Sequence, residues 1–199
     1  MIWFLLIVFI FALLMGVFQV PIWIMYSSVM AVILVFFLIR NPLLFGRDTK
    51  KMMTFLKKSK KPYLQFLYHF LNYDLSEAEK AMGKIRFGKL KKIAEMMLLL
   101  EQKQFGKAKE LLRQIGENNA KWYALAYIAM SEGDAEALKQ HKEKIKDIYL
   151  LKTLEVDQAV YDGKREEAVV MLEAMIPKLK GFKLLSAVQF LKQIQEGRI

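Results

Sequence analysis

Two kinds of residue in this sequence are of types that bind metals or act in acid–base catalysis: histidines and paired carboxylates. The two histidines, His69 and His141, stand far apart in the sequence, and neither has a histidine or carboxylate at a ligand spacing such as H-E-x-x-H. His69 lies among aromatic residues, so we expect a core or groove residue. Acidic pairs such as Glu77 and Glu79 stand in lysine-rich stretches, which is typical of solvated helix faces. The spacing therefore predicts no metal site.

Nucleophile and phosphate-loop motifs are also missing from the sequence. The chain has no cysteine, which excludes disulfides, thiol nucleophiles and cysteine-bound zinc. The pair Gly83-Lys84 lacks the upstream glycine and the following Ser or Thr of a phosphate loop. We therefore expect no catalytic residue and no cofactor, and we expect that the protein is not an enzyme.

The segment 1–39 is almost entirely apolar and contains no Asp, Glu, Lys or Arg. It is interrupted near Pro21, which leaves two runs, 2–18 and 22–39. As a helix, each run would reach roughly 27 Å, close to the ~30 Å of a hydrocarbon core. The pattern predicts a two-helix transmembrane hairpin over 1–39. One long, kinked or re-entrant element is the alternative.

Positive charge is concentrated directly after this apolar segment. The whole chain carries a net charge of +11, and the range 40–61 holds eight basic side chains and one acid. Because basic flanks stay on the cytoplasmic side, we expect both termini in the cytoplasm. The position of the charge favours a membrane rather than a nucleic acid as the partner. We expect an integral protein of a bacterial plasma membrane with no nucleic-acid partner.

The range 40–61 has a two-sided helical pattern of its own. Met52, Met53, Phe55 and Leu56 share one side, and most lysines lie on the other. This pattern is typical of a basic amphipathic helix on a membrane surface. The candidate contacts with anionic lipid headgroups are Lys50, Lys51, Lys57, Lys58, Lys60 and Lys61. Alternatively, the segment is a solvated linker whose lysines only set the topology.

A sequence motif returns with a near-constant period over 62–199. Its anchors are Ala78, Ala108, Ala137 and Ala168. Helical apolar runs stand on both sides of a turn signal in each copy, as in a solenoid of two-helix units. The predicted fold class is all-α, with two transmembrane helices followed by a cytoplasmic α-solenoid of about four two-helix repeats and a C-terminal capping helix.

Nine helices are predicted over 62–199. Their ranges are 62–72, 75–85, 88–102, 105–115, 119–132, 135–146, 148–162, 165–176 and 182–196. The last helix has no partner, and we expect it to cap the exposed core of the fourth unit.

The third unit, WYALAYIAMSEGDAEA, resembles the tetratricopeptide repeat. Trp122, Leu125 and Ala126 match the start of that repeat's first helix, and a turn precedes a small residue on the second helix. The unit departs from the family by one missing residue before Ala137 and by Ala129, where an aromatic residue is usual. The resemblance covers 62–199, mainly through the second helices, and implies a fold rather than an activity.

The resemblance also implies an inner groove lined by the first helix of each unit. Transferred through the third unit, this places Tyr123, Tyr127 and Met130 toward the groove, beside Asp157 of the next unit. Tyrosines there would offer buried area and a hydroxyl to a protein partner. The alternative is that these residues serve only in packing between repeats.

Together these patterns favour a membrane-anchored scaffold or adaptor that presents a tetratricopeptide-like solenoid to protein partners. The alternative is an accessory or regulatory subunit of an integral membrane complex, recognised through the transmembrane hairpin.

Overall fold

The computed structural model describes residues 9–10, 13 and 21–199, apart from the side chains of residues 36–40. All regular secondary structure in that part of the chain is helical. The predicted all-α class is therefore confirmed.

Over residues 21–199, three helices precede four helix pairs and one last helix. The first three are α1 Ile22–Arg40, α2 Pro42–Phe45 and α3 Thr49–Lys58. The pairs are α4 Pro62–Leu71 with α5 Leu75–Gly83, α6 Lys89–Glu101 with α7 Phe105–Arg113, α8 Asn119–Glu132 with α9 Ala135–Lys142, and α10 Ile148–Tyr161 with α11 Arg165–Met175. A 3₁₀ turn, Ile176–Lys178, then leads to α12 Gly181–Gln195.

Local sequence signals fix where many of these helices begin. The side chains of Asp74, Asn118 and Asp134 each accept a hydrogen bond from a backbone N–H in the first turn that follows, and Pro62 occupies the first turn of α4. Such residues either satisfy or remove the unpaired N–H groups of a helix start. Each helix predicted over 62–199 begins within one residue of its predicted start, so the starts are confirmed. The helix predicted over 135–146 is shorter than expected and ends at Lys142.

The four helix pairs share one turn geometry at a constant sequence interval. Tyr73, Lys103, Gly133 and Gly163 have φ angles of 60°, 54°, 75° and 75°. The N–H after each of them donates to the carbonyl five residues earlier, over N···O distances of 2.8 to 2.9 Å. This is the bond of a Schellman motif, and it fixes the point at which each first helix turns into the second.

The shared turn corrects the register of the third predicted repeat. Ala78, Ala108 and Ala168 stand five residues after their turn residues and are fully buried. The same position in the third pair belongs to Leu138, which makes the equivalent backbone bond, and not to Ala137. Because the turns are evenly spaced, no residue is missing from the third pair.

The helix pairs pack in chain order. Each first helix contacts the next first helix, so that α4, α6, α8 and α10 lie side by side. Ile128 of α8 shares a buried cluster with Leu112 of the preceding pair, and Ala126 shares another with Leu154 of the next. The core therefore continues from one pair into the following pair.

The last helix joins the two ends of this row. It packs against α11 on one side and against α2, α3 and α4 on the other. Leu185 is buried in one cluster with Leu56 and Phe66, and Nε2 of Gln193 donates to the carbonyl of Leu71 over 3.2 Å. The sequence predicts that α12 caps the fourth pair. In the structure α12 also covers the first pair.

The segment 40–61, predicted as a linker, is partly built into this core. Met52 and Leu56 are 0% exposed, because the apolar side of α3 packs against α4 and α12. The packed helical core therefore starts before residue 62.

Helix α1 exposes apolar side chains along its described length, including those of Trp23, Met30 and Leu34. Within the described residues, no helix combines the length and the apolar character needed to cross a membrane. The predicted hairpin stays a prediction. Its first run, 2–18, lies outside the described residues apart from positions 9, 10 and 13.

The junction between α12 and α2 depends on one glycine. Gly181 has a φ of 59°, and its N–H donates to the carbonyl of Gly46 over 2.8 Å. A Cβ at position 181 would overlap the carbonyl oxygens of Leu43 and Leu44. Both the backbone conformation and the close approach therefore require glycine.

We predict that Gly181→Ala destabilises the protein more than Gly197→Ala does. Gly197 also has a positive φ, 67°, but a Cβ there would meet only the Arg165 guanidinium, at 4.0 Å. Positive φ alone costs about 1–2 kcal/mol, and Gly181→Ala must also displace backbone atoms. Urea unfolding of both variants measures the difference. Equal losses in the two variants would contradict the proposed close approach.

Candidate functional site

The third and fourth helix pairs bring three of the predicted groove residues together. Tyr123 and Tyr127 lie one turn apart on α8 and share a face, and Asp157 meets them from α10. The Tyr123 hydroxyl donates a hydrogen bond to Oδ2 of Asp157 over 2.5 Å. All three residues are mostly buried and expose only a minor part of their surface. This contact between successive first helices is the geometry expected from the sequence.

Two residues of earlier pairs extend this group. Glu101 ends α6, and Tyr73 occupies the turn after α4 with its side chain beside the Glu101 carboxylate. The charge of Glu101 raises the pKa of both Tyr127 and Asp157. The inner polar cluster is defined here as Tyr73, Glu101, Tyr123, Tyr127 and Asp157.

Burial sets the protonation of the inner polar cluster. It raises the pKa of Asp157 to about 7, with a further rise from the charge of Glu101 and an opposing effect of the Tyr123 hydrogen bond. Burial also raises the pKa of Glu101. The pKa of Tyr127 rises to about 12 through burial and the nearby carboxylates. Asp157 therefore exchanges its proton near neutral pH, while Tyr127 keeps its proton.

The chemistry of the cluster suits the binding of a cation. Carboxylates supply charge-assisted hydrogen bonds to ammonium and guanidinium groups, and tyrosine rings attract the same groups through their faces. A cation beside Asp157 would favour its ionised form, because opposite charges lower the pKa of a carboxyl group.

Sequence reasoning missed Tyr73 and Glu101. It transferred groove positions only through the third pair, whereas these two residues belong to the first and second. Two signals could have found them. Tyr73 occupies the turn position of its repeat, as Lys103 and Gly133 do in the next two repeats. Glu101 is a lone acid at the end of the apolar run MMLLL.

Met130 does not belong to this surface. Its side chain is only 4% exposed, because α8 is covered by both α9 and α10. The prediction that Met130 lines an open groove is therefore corrected.

Trp122 lies between the two helices of the third pair. Its ring stacks on that of His141, with 5.9 Å between centroids and 22° between planes, and Nζ of Lys144 lies 4.3 Å from the ring centroid. Burial and the Lys144 charge lower the pKa of His141. Trp122 thus contacts the paired helix, as predicted, but remains partly exposed.

The basic surface of α3 differs from its prediction in one respect. All six lysines named as lipid contacts are exposed. The apolar side of the same helix, however, is buried in the protein through Met52 and Leu56, and only Phe55 keeps substantial exposure, at 37%. The helix therefore cannot insert that side into a bilayer, and any lipid contact uses the lysines.

Comparison of the chain with protein-family models, curated proteins and solved structures finds no match. The interpretation of both surfaces therefore depends on their geometry and charge.

We predict that Asp157→Asn flattens the pH dependence of stability. The folded-state pKa of Asp157, about 7, exceeds the unfolded value of ~3.9. The folded state then holds the extra proton, and stability falls as the pH rises through this window. Asparagine still accepts the Tyr123 hydrogen bond but does not ionise.

Urea unfolding between roughly pH 5 and 8 measures this effect. The matched control is Asp162→Asn, at the exposed end of the same helix, which should keep the wild-type slope. Parallel pH curves for Asp157→Asn and the wild type would contradict the assignment.

Proposed function

We propose that this protein is a membrane-attached interaction module, in which a tetratricopeptide-like solenoid docks a protein partner at the inner polar cluster. The observation that carries the proposal is the juxtaposition of Tyr123, Tyr127 and Asp157 from successive first helices. The even spacing of the four turns supports a repeat architecture, since units of one length stack at one rotation.

The inner polar cluster suggests the chemistry of the partner. Although the chain carries a net charge of +11, this cluster combines two carboxyl groups with three tyrosines. We infer that it holds a Lys or Arg side chain of a partner segment. Tyrosine is common among the residues that dominate binding energy, because its ring buries area while its hydroxyl keeps a hydrogen bond.

Membrane attachment is the second part of the proposal. Support comes from the uncharged segment 1–39, the eight basic side chains over 40–61, and the exposed apolar side chains of α1. A hairpin with both termini in the cytoplasm agrees with this charge distribution. It would hold the helical domain at the inner leaflet.

A second candidate function has an observation of its own. Trp23, Tyr26 and Met30 are at least 63% exposed on α1, and Ser27 and Ser28 beside them are small enough for close helix contact. Such a surface suits a membrane-embedded partner. The protein would then be an accessory subunit recognised through its hairpin.

We predict that partner capture occurs at Tyr127. A photo-crosslinking amino acid is placed in the full chain at Tyr127, Tyr161 or Tyr26, so that one residue type is replaced in each case. Position 127 should yield a discrete crosslinked partner, and exposed position 161 should not. Adding Glu101→Gln and Asp157→Asn should lower the yield at 127 several-fold, since the cation would lose its counter-charges.

The three positions separate the candidate functions. Capture at position 26 alone would favour the accessory-subunit role. Equal capture at 127 and 161, or capture at 127 that is insensitive to the two carboxylates, would contradict docking at the inner polar cluster.

We predict that the segment 1–39 anchors the chain in the membrane. The full chain should stay in the membrane fraction after alkaline carbonate extraction, and a chain lacking 1–39 should not. A C-terminal reporter active only in the cytoplasm should give signal. Release of the full chain by carbonate would contradict integral attachment, and a silent but folded reporter would contradict the orientation.

A further inference from the structure

We propose that a cavity between α3, α4 and α12 is a binding site for a phosphate monoester, carried by a membrane lipid headgroup. The cavity has a volume of about 310 Å³, at the lower end of the ~300–1,000 Å³ typical of ligand pockets. The cavity is open to solvent, and three exposed lysines line it, Lys50 and Lys57 of α3 and Lys192 of α12. The proposal goes beyond partner docking at the inner polar cluster, and its lipid source rests on the proposed membrane attachment.

Helices that are far apart in the sequence build this cavity together. Lys50 and Lys57 are seven residues apart on α3, which places them two turns apart on one helix face. Lys192 reaches the cavity from α12 because that helix packs against α3. The site therefore exists only when the last helix is docked on the first ones.

The charge in the cavity is largely uncompensated. Among the described residues, no Asp or Glu lines the cavity, and neither Lys50 nor Lys57 forms an ion pair. Asp48, close in sequence, pairs with Lys51 instead. Lys192 lies 3.6 Å from Glu196 in an exposed pair, which is a weak interaction that a bound anion can replace.

Neutral donors complete the chemistry of a phosphate site. Thr49, Asn72 and Gln189 also line the cavity, and one N–H of the Asn72 amide already donates to the carbonyl of Tyr68 over 2.8 Å. Lysine acts on phosphate as a point charge, and amide or hydroxyl donors supply direction. A dianionic monoester matches three lysines better than a singly charged diester does, so phosphatidic acid is the lipid headgroup that fits best.

The residues that precede the cavity residues in the sequence favour a lipid rather than a free metabolite. Leu44 and Phe45 of α2 are 45% and 63% exposed, and only three residues separate Phe45 from Thr49 at the start of α3. An acyl chain could therefore lie against these side chains while the phosphate occupies the cavity.

The test compares two triple variants of the full chain in neutral detergent. The cavity variant is Lys50→Gln, Lys57→Gln and Lys192→Gln. The matched control is Lys84→Gln, Lys107→Gln and Lys139→Gln, which removes the same charge from exposed lysines elsewhere on the domain. Calorimetric titrations use short-chain phosphatidic acid, short-chain phosphatidylserine, glycerol 3-phosphate and a single-stranded oligonucleotide. Melting temperatures confirm that both variants fold.

We expect phosphatidic acid to bind more tightly than phosphatidylserine, with at least a tenfold loss in the cavity variant and less than a threefold loss in the control. Glycerol 3-phosphate that binds as tightly as the lipid would keep the phosphate site but overturn the lipid source. Equal losses in both variants would show that binding depends on diffuse charge, and would overturn the site. The absence of lipid binding, or binding of the oligonucleotide alone, would also overturn the site. None of these outcomes bears on partner capture at Tyr127, so failure of the phosphate site and failure of docking are distinguishable.

Discussion

The contact between the last helix and the first ones is the constraint on which the rest of the structure depends. A row of helix pairs leaves an apolar face at each end, and each face must be covered if the row is to be stable in water. Here one helix, α12, covers both faces, through Leu185 against Leu56 and Phe66 and through contacts with α11. Because α2 and α3 take part in this closure, the segment 42–58 is held at a fixed position on the helical domain.

Closure also separates two kinds of chemistry. The inner polar cluster collects carboxyl groups and tyrosines from the first helices and the turn after α4, whereas lysines of α3 and α12 line the cavity. An exposed acidic partner would be drawn to the second surface and a basic segment to the first. The two proposed sites therefore share no residue.

The sequence predicted the helices well because the signals for a helix start are local. Asp74 and Asp134 are caps that can be read without knowledge of the fold. The partner of α12 could not be predicted in this way, because the bond from Gln193 to Leu71 joins residues 122 positions apart. For the same reason, the pattern around Met52 and Leu56 predicts either a helix on a membrane surface or a solvated linker. An apolar helix side predicts burial but not the surface that buries it. The candidate site shows the same limit. The pattern of the third unit predicts Tyr123 and Tyr127, but it cannot predict Glu101, which belongs to another unit.

The position of Asp157 is the strongest argument that the inner surface serves more than packing. The equivalent positions in the three preceding pairs belong to Tyr127, Met97 and Leu67, so the same place in the fold accepts apolar side chains in the first two pairs. Burial raises the pKa of Asp157 to about 7, which means that its ionised form destabilises the fold at neutral pH. A carboxyl group with this cost, at a position where apolar residues fit, is the kind of feature that marks functional sites. A partner cation would offset the cost by stabilising the ionised form, and binding would then release a proton from Asp157.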